Sequence, residues 1–236
     1  MKTVGIVGGL SPESTITYYK GLNEAVQARL GGHHNARILL NSLDFGEFVE
    51  LKERGDWDTQ GKMIVTASKS LEKAGADFVM LATNTMHRFA EEVEKALHIP
   101  FLHLADATAR QIRERGLKKA GLLGTAYTME QDFYKKRLIA QGIEPLVPEV
   151  EDRSDIHHII YEELCRGVVR DESRNIYQEV IAGLIDEGAQ AVILGCTEIG
   201  MLIGPGDVPC PVFDTTKIHI EAAAQFIFDE AESAAA

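Results

Sequence analysis

Two short polar motifs, each closing an apolar run, carry the side chains best suited to chemistry in this chain. Thr83-Asn84-Thr85 follows Phe78-Val79-Met80-Leu81-Ala82, and Gly195-Cys196-Thr197-Glu198 follows Ala191-Val192-Ile193-Leu194. An apolar run of that length closed by small polar residues predicts a buried parallel strand delivering side chains at its C-terminal edge. Open α/β sheets place their ligand sites at that edge. Two such edges facing each other would set Thr83 and Cys196 on opposite sides of one small molecule, a geometry for chemistry on both faces of a single carbon. A thiolate is a good base for carbon acids and a good nucleophile, provided its pKa of about 8.5 is lowered or a base assists. Neighbouring N–H groups would lower that value, and Glu198 at close range would raise it. Of the other two cysteines, Cys165 reads as a small buried hydrophobe inside an amphipathic helix. Cys210, between Pro209 and Pro211, has no evident partner.

Two glycine-bearing turns come next. Gly8-Gly9-Leu10-Ser11-Pro12-Glu13-Ser14 ends a strand and opens a helix, where exposed N–H groups attract phosphate or carboxylate. The spacing is neither G-x-G-x-x-G nor a Walker A loop, which argues against nucleotide. Gly124-Thr125-Ala126-Tyr127-Thr128 is the equivalent turn in the second half, with hydroxyls added. Leu10, Ser11, Thr125, Tyr127 and Thr128 are therefore candidate substrate contacts; the alternative for both turns is an ordinary strand-to-helix connection. His87 could act as a general base or cap a helix start, although a lone histidine there is more often structural. The eight histidines form no metal-binding spacing, so no metal is expected. The charged, aromatic stretch from Asp44 to Asp58 could be a flap carrying Lys52 or Arg54, or a solvated, partly helical loop.

These residues must be held by an alternating framework. The first half predicts strands at 3–8, 36–42, 77–82 and 101–105, with helices at about 14–29, 58–73 and 87–96. The second half predicts strands near 120–124, 145–148 and 191–195, with helices near 128–141, 154–165, 172–187 and 217–230. Gly31-Gly32, Gly75 and Gly116 stand where left-handed helix caps favour glycine. Strand–helix–strand alternation implies parallel sheets with right-handed crossovers. The halves also repeat. Gly5-Ile6-Val7-Gly8 recurs as Gly121-Leu122-Leu123-Gly124, Tyr18 and Lys20 recur as Tyr134 and Lys136, and Asp106-Ala107-Thr108 is echoed by Asp214-Thr215-Thr216. With the two polar motifs themselves, 113 residues apart, these make four matches in one order and indicate a duplicated unit. The expected fold is thus α/β, with two pseudo-symmetric lobes of parallel sheet flanked by helices and the site in the cleft between them. The first lobe takes 1–104 plus 211–236, since the final helix returns to it, and the second takes 105–210. An alanine-rich tail follows Glu230.

Composition narrows the partners. Thirty-six acidic against 24 basic residues give a net charge of −12, which disfavours nucleic acid and anionic membrane. No apolar segment approaches the ~20 residues of a membrane span. Three cysteines without a C-x-x-C pair suggest neither a disulfide framework nor a zinc site, so a cytoplasmic setting is the natural reading.

Taken together, Gly8-Gly9-Leu10-Ser11-Pro12, the x-N-T motif at 83–85 and Gly195-Cys196-Thr197-Glu198 resemble the aspartate/glutamate racemase family over essentially the whole chain. Asn84-Thr85-Met86-His87 and Thr128-Met129-Glu130-Gln131-Asp132-Phe133-Tyr134 are similar to stretches of enterobacterial L-aspartate/glutamate-specific racemases. The resemblance implies cofactor-independent racemization by two opposed thiols, with Asn84, Thr85 and Thr197 holding the substrate's α-carboxylate and ammonium. It leaves a homodimer open. Two departures matter. Thr83 stands where most members carry cysteine, so only the Cys196 side keeps its thiol. Glu198 replaces the histidine of glutamate racemases and is the aspartate-racemase form. Lys52 is the candidate for the distal carboxylate. Two alternatives are a single-thiol relative, such as a malonate decarboxylase or maleate isomerase, and a non-catalytic dicarboxylate-binding protein.

Overall fold

The computed structural model describes residues 1–229, so the alanine-rich tail after Glu230 lies outside the described residues. The chain divides into two compact units, Met1–His103 with the chain from His219 onward, and Leu104–Ile218. The expected break at 210/211 falls instead at 218/219. The reason is pairing: Val212–Asp214 is a strand of the second unit's sheet, so the chain leaves that unit only after it.

The first unit runs β1 (Thr3–Gly8), α1 (Pro12–Leu30), β2 (Arg37–Ser42), α2 (Phe45–Glu53), α3 (Trp57–Lys73), β3 (Phe78–Leu81), a 3-10 turn over Thr85–Phe89 and α4 (Ala90–Ala96). The three strands form a parallel sheet in the order β2-β1-β3. Side chains alternate across it, as strand geometry requires. Val4, Ile6, Phe78, Met80 and Ala82 pack with Tyr18, Leu22 and Val26 of α1. Val7, Val79 and Leu81 pack on the other face with Phe48 of α2 and Ile64 and Leu71 of α3. Full burial of such a side chain contributes about 1.5–3 kcal/mol over leaving it exposed. The stretch expected as flap or loop is largely α2, capped by Asp44, whose side chain accepts from the Gly46 and Glu47 N–H groups. The strand expected at 101–105 reduces to one bridge, Val79 with Phe101. It stops there because a helix begins at Leu104.

That helix, α5 (Leu104–Glu114), opens the second unit. It is followed by β4 (Lys119–Gly124), α6 (Ala126–Glu130), α7 (Asp132–Ala140), β5 (Glu144–Leu146), α8 (Val150–Glu162), α9 (Asp171–Asp186), β6 (Val192–Gly195), β7 (Val212–Asp214) and α10 (Thr215–Phe228). The single helix expected at 128–141 is split because Gln131 adopts extended backbone, with φ −78° and ψ 156°. The parallel sheet has the order β5-β4-β6-β7, matching β2-β1-β3 plus the Phe101 bridge in the first unit. Each repeat's last extended segment is followed by a helix that closes the other unit. Arg137 of α7 pairs with Asp106 of α5 at 2.9 Å, while Ile220, Ala223 and Ile227 of α10 complete the core around Tyr18.

Cys165 is a correction. It is exposed, in a 3-10 turn over Leu164–Arg166, because α8 ends at Glu162 and Leu164 takes the buried position. Gly116 and Gly75 have φ of 71° and 96°, the left-handed values expected after a helix.

His219 of α10 is fully buried, its Nε2–H donating to the Leu102 carbonyl at 2.9 Å and its Nδ1 accepting from the Tyr18 hydroxyl at 3.0 Å. Burial, reinforced by repulsion from His87, lowers its pKa from 6.5 to about 3. Between those values the unfolded chain binds a proton that the folded chain refuses. The stability His219 allows is therefore complete above pH 6.5 and falls as pH drops toward 3, by about 1.4 kcal/mol per unit. Urea unfolding at pH 7 and pH 4.5 should show a smaller loss for His219→Gln than for wild type. Equal losses would assign acid sensitivity to other groups.

Candidate active site

In the first unit, adjacent parallel strands bring two of the predicted motifs to one sheet edge. β1 and β3 are in register through Val7 and Leu81, so the turn after Gly8 and the Thr83 motif emerge side by side. Gly9 has φ +84°, and a Cβ there would collide with the Leu43 carbonyl, so the close approach demands glycine. Ser11 caps α1, its side chain accepting from the Ser14 N–H at 3.3 Å. The Ser14 hydroxyl in turn donates to the Ala82 carbonyl at 2.8 Å, tying this turn to the residue before Thr83. Leu10 is buried against Val7, Phe48 and Met86, which leaves its backbone as the part available for binding. Thr83 and Asn84 are 9% and 6% exposed, and Thr85 is half-buried. Lys52 lies half-buried in the last turn of α2, whose Phe48 anchors that helix in the same core.

His87 is 1% exposed, and its Nδ1 donates to the Thr83 carbonyl at 2.8 Å. It neither caps a helix start with its side chain nor stands in the open as a base.

The second unit repeats the arrangement. Gly124 of β4 pairs with Gly195 of β6, so the Thr125 turn and the Cys196 motif share an edge. Thr128 is fully buried, its methyl over Gly195 and its hydroxyl 3.4 Å from that of Thr125. It is placed to support Thr125 rather than to meet a substrate itself. Tyr127 is half-buried, and its ring meets His157 of α8 edge-on at 6.1 Å. His157 accepts the Ala126 N–H at 3.1 Å, which fixes the start of α6.

Cys196, Thr197 and Glu198 form a single hydrogen-bonded unit. One oxygen of Glu198, Oε2, accepts from Cys196 Sγ at 2.9 Å and from Thr197 Oγ1 at 2.6 Å. Burial, then the negative charge of Glu198, raises the Cys196 pKa well above its ordinary value. The opposing contribution of neighbouring N–H groups does not prevail. In this arrangement Cys196 is a thiol hydrogen-bonded to a carboxylate. Around it stand the phenols of Tyr161 and Tyr177, whose pKa values burial and then Cys196 raise; both are therefore neutral. Sequence reasoning missed two of these bonds, His87 to Thr83 and Thr197 to Glu198. The i to i+4 spacing of 83 and 87 was the available signal for the first. Among the described residues no group of three or more His, Cys, Asp or Glu is placed to hold a metal ion, and no helix is long and apolar enough to cross a membrane.

Known proteins share this framework. A candidate Asp/Glu racemase from Yersinia pestis is 49% identical, with 97% of this chain and 100% of that one aligned at a TM-score of 0.93. An aspartate racemase homologue from Pyrococcus horikoshii is 36% identical over 96% of this chain and 99% of its own, at a TM-score of 0.85. The broad-specificity amino-acid racemase RacX of Bacillus subtilis is 25% identical over 219 residues, 90% of this chain and 92% of that protein. The Asp/Glu/Hydantoin racemase family matches residues 7–223. With that match spanning both units and both motif-bearing edges, the chain belongs to the Asp/Glu/Hydantoin racemase family.

Proposed function

We propose that this racemase inverts the Cα of aspartate and glutamate without a cofactor, with Cys196 serving the L-face and Thr83 the D-face of one substrate. The observation that carries the reading is the Cys196–Glu198 hydrogen bond. A thiol whose pKa is raised is a poor base until its proton has somewhere to go, and the Glu198 carboxylate is 2.9 Å away. The proton passes from Cys196 Sγ to Glu198, and the thiolate then takes the Cα proton of the L-amino acid. The electron pair left on Cα spreads into the α-carboxylate. Thr83 Oγ–H delivers a proton to the opposite face, and the protonation states of Thr83, Cys196 and Glu198 are then reset from solvent.

Binding follows from the remaining groups. The hydroxyl proton of Thr197 is committed to Glu198, so its oxygen lone pairs suit the substrate ammonium. Asn84, Thr85 and the backbone of Leu10-Ser11 would take the α-carboxylate, with Thr125 and Tyr127 lining the second edge. Lys52 would meet the distal carboxylate. The broad specificity of the Bacillus relative makes substrate range the first property to measure.

A hydroxyl is far less acidic than a thiol, so abstraction should be efficient only from the L-form. The two kcat/KM values must be equal, because the equilibrium constant is near unity. A lower D-side kcat therefore comes with a lower D-side KM. Thr83→Cys should raise the D-to-L kcat by supplying a more accessible base. Incubation with L-aspartate in deuterium oxide tests the whole reading. A racemase incorporates α-deuterium and forms D-aspartate. A malonate decarboxylase leaves aspartate untouched, and a binding protein shows affinity without exchange. Equal wild-type kcat values from L and D would remove the assigned handicap at Thr83.

A further inference from the structure

We infer that His87 is a positioning residue for Thr83, clamping the peptide units that carry it so that the threonine hydroxyl is held in one direction. This rests on the assignment of Thr83 to the D-face. His87 reaches back twice: its main-chain N–H donates to the Asn84 carbonyl at 3.1 Å, and its ring Nδ1 donates to the Thr83 carbonyl at 2.8 Å. A carbonyl only accepts, so Nδ1 must carry the hydrogen. The residue before Thr83 is held as firmly. The Ala82 N–H donates to the Val7 carbonyl at 2.9 Å, and the Ala82 carbonyl receives the Ser14 hydroxyl at 2.8 Å. Three successive carbonyls, from 82 to 84, are thus each tied. Because the peptide group is planar, fixing the Thr83 carbonyl also fixes the Asn84 N–H in the opposite direction.

The ring itself has little freedom to turn. His103 lies 4.7 Å from it, and Phe101 and His219 each lie 5.7 Å away, centroid to centroid. His219 is pinned by Tyr18 and Leu102. Tyr18, His87, His103 and His219 are at most 3% exposed. An apolar side chain could fill that space without the cost of burying an imidazole, which must be offset by its hydrogen bonds. The imidazole supplies an N–H to the Thr83 carbonyl, which an apolar side chain cannot. A reacting group displaced by ~1 Å can lose about a hundredfold in rate.

The test uses two variants of similar size. His87→Asn keeps an amide N–H at the position of Nδ1. His87→Gln moves the amide one carbon farther, to the position of Nε2. With L-aspartate in deuterium oxide, two rates are read: inversion to D-aspartate, which needs Thr83, and α-deuterium incorporation with retained configuration, which needs only the Cys196 side. In His87→Gln the ratio of retained exchange to inversion should rise by about tenfold or more, and in His87→Asn it should stay within about threefold of wild type. A ratio is insensitive to loss of folded protein, and His87→Phe replaces the Gln variant should that one not fold. An unchanged ratio in His87→Gln, or the same rise in His87→Asn, would overturn the inference. A wild type that neither inverts nor exchanges L-aspartate would defeat the racemization assignment itself, a separate and recognisable failure.

Discussion

Cys196→Ser should fold normally and lose about a thousandfold or more in kcat on L-aspartate and L-glutamate. The replacement differs by one atom at a half-buried position, so packing is little disturbed. The chemistry is disturbed far more. Glu198 can still accept a hydrogen bond from a serine hydroxyl, but the alkoxide it would have to generate is much harder to form than a thiolate, and nucleophile and base assignments depend on that difference. Cys165→Ala and Cys210→Ala are the controls. Cys165 is exposed on its 3-10 turn and Cys210 packs at the margin of the second unit's core, so both variants should stay close to wild type. Turnover by Cys196→Ser within a few fold of wild type would end the assignment of Cys196 as the base.

The second large effect is expected at Glu198. Glu198→Gln has two consequences of opposite sign. Loss of the negative charge lowers the Cys196 pKa, since that charge follows burial as a cause of its elevation. Loss of the carboxylate also removes the group that receives the thiol proton at 2.9 Å. If proton acceptance is the function, the second consequence dominates. Then kcat falls by about a hundred- to ten-thousandfold, the range that general acid–base catalysis typically contributes. The two consequences separate in the pH profile. In Glu198→Gln the thiol must give its proton directly to solvent, so the residual kcat should climb with pH through the lowered thiol pKa. Wild type, which uses the carboxylate as acceptor, should change less over the same interval. A Glu198→Gln enzyme with wild-type kcat would mean that Glu198 serves only to bind Thr197 and substrate.

Much of the framework was legible because its signals are local. The apolar runs at both motif-bearing strands are continuous and stop where polar residues begin, so run length and composition alone located β3 and β6 and the edges they deliver to. The repeat of Gly5-Ile6-Val7-Gly8 at Gly121-Leu122-Leu123-Gly124 is matched by two sheets of corresponding strand order. Where local signals were ambiguous, tertiary contacts decided. The residues from Leu104 read as the end of a strand but form α5, since Ala105, Thr108, Ala109 and Ile112 bury one helical face within the second unit. The 3.6-residue spacing was present, but an apolar stretch that short fits either period until a partner face exists.

The sequence by itself determined which chemistry is at hand: one thiol with Thr and Glu beside it, a hydroxyl closing the corresponding apolar run in the first half, and glycines where backbone must turn or approach closely. These are properties of residue type and near spacing. Only the tertiary structure decided how those groups are tuned. The Cys196 thiol is held protonated by burial and by a carboxylate within hydrogen-bond reach, a balance that depends on solvent exclusion by residues far away in the chain. His87 is withdrawn from any surface role because Phe101 and His103 from one stretch and His219 from another close around it. Ionisation and hydrogen-bond direction follow from what surrounds a group in space, and that set of neighbours does not exist until the strands and helices have packed.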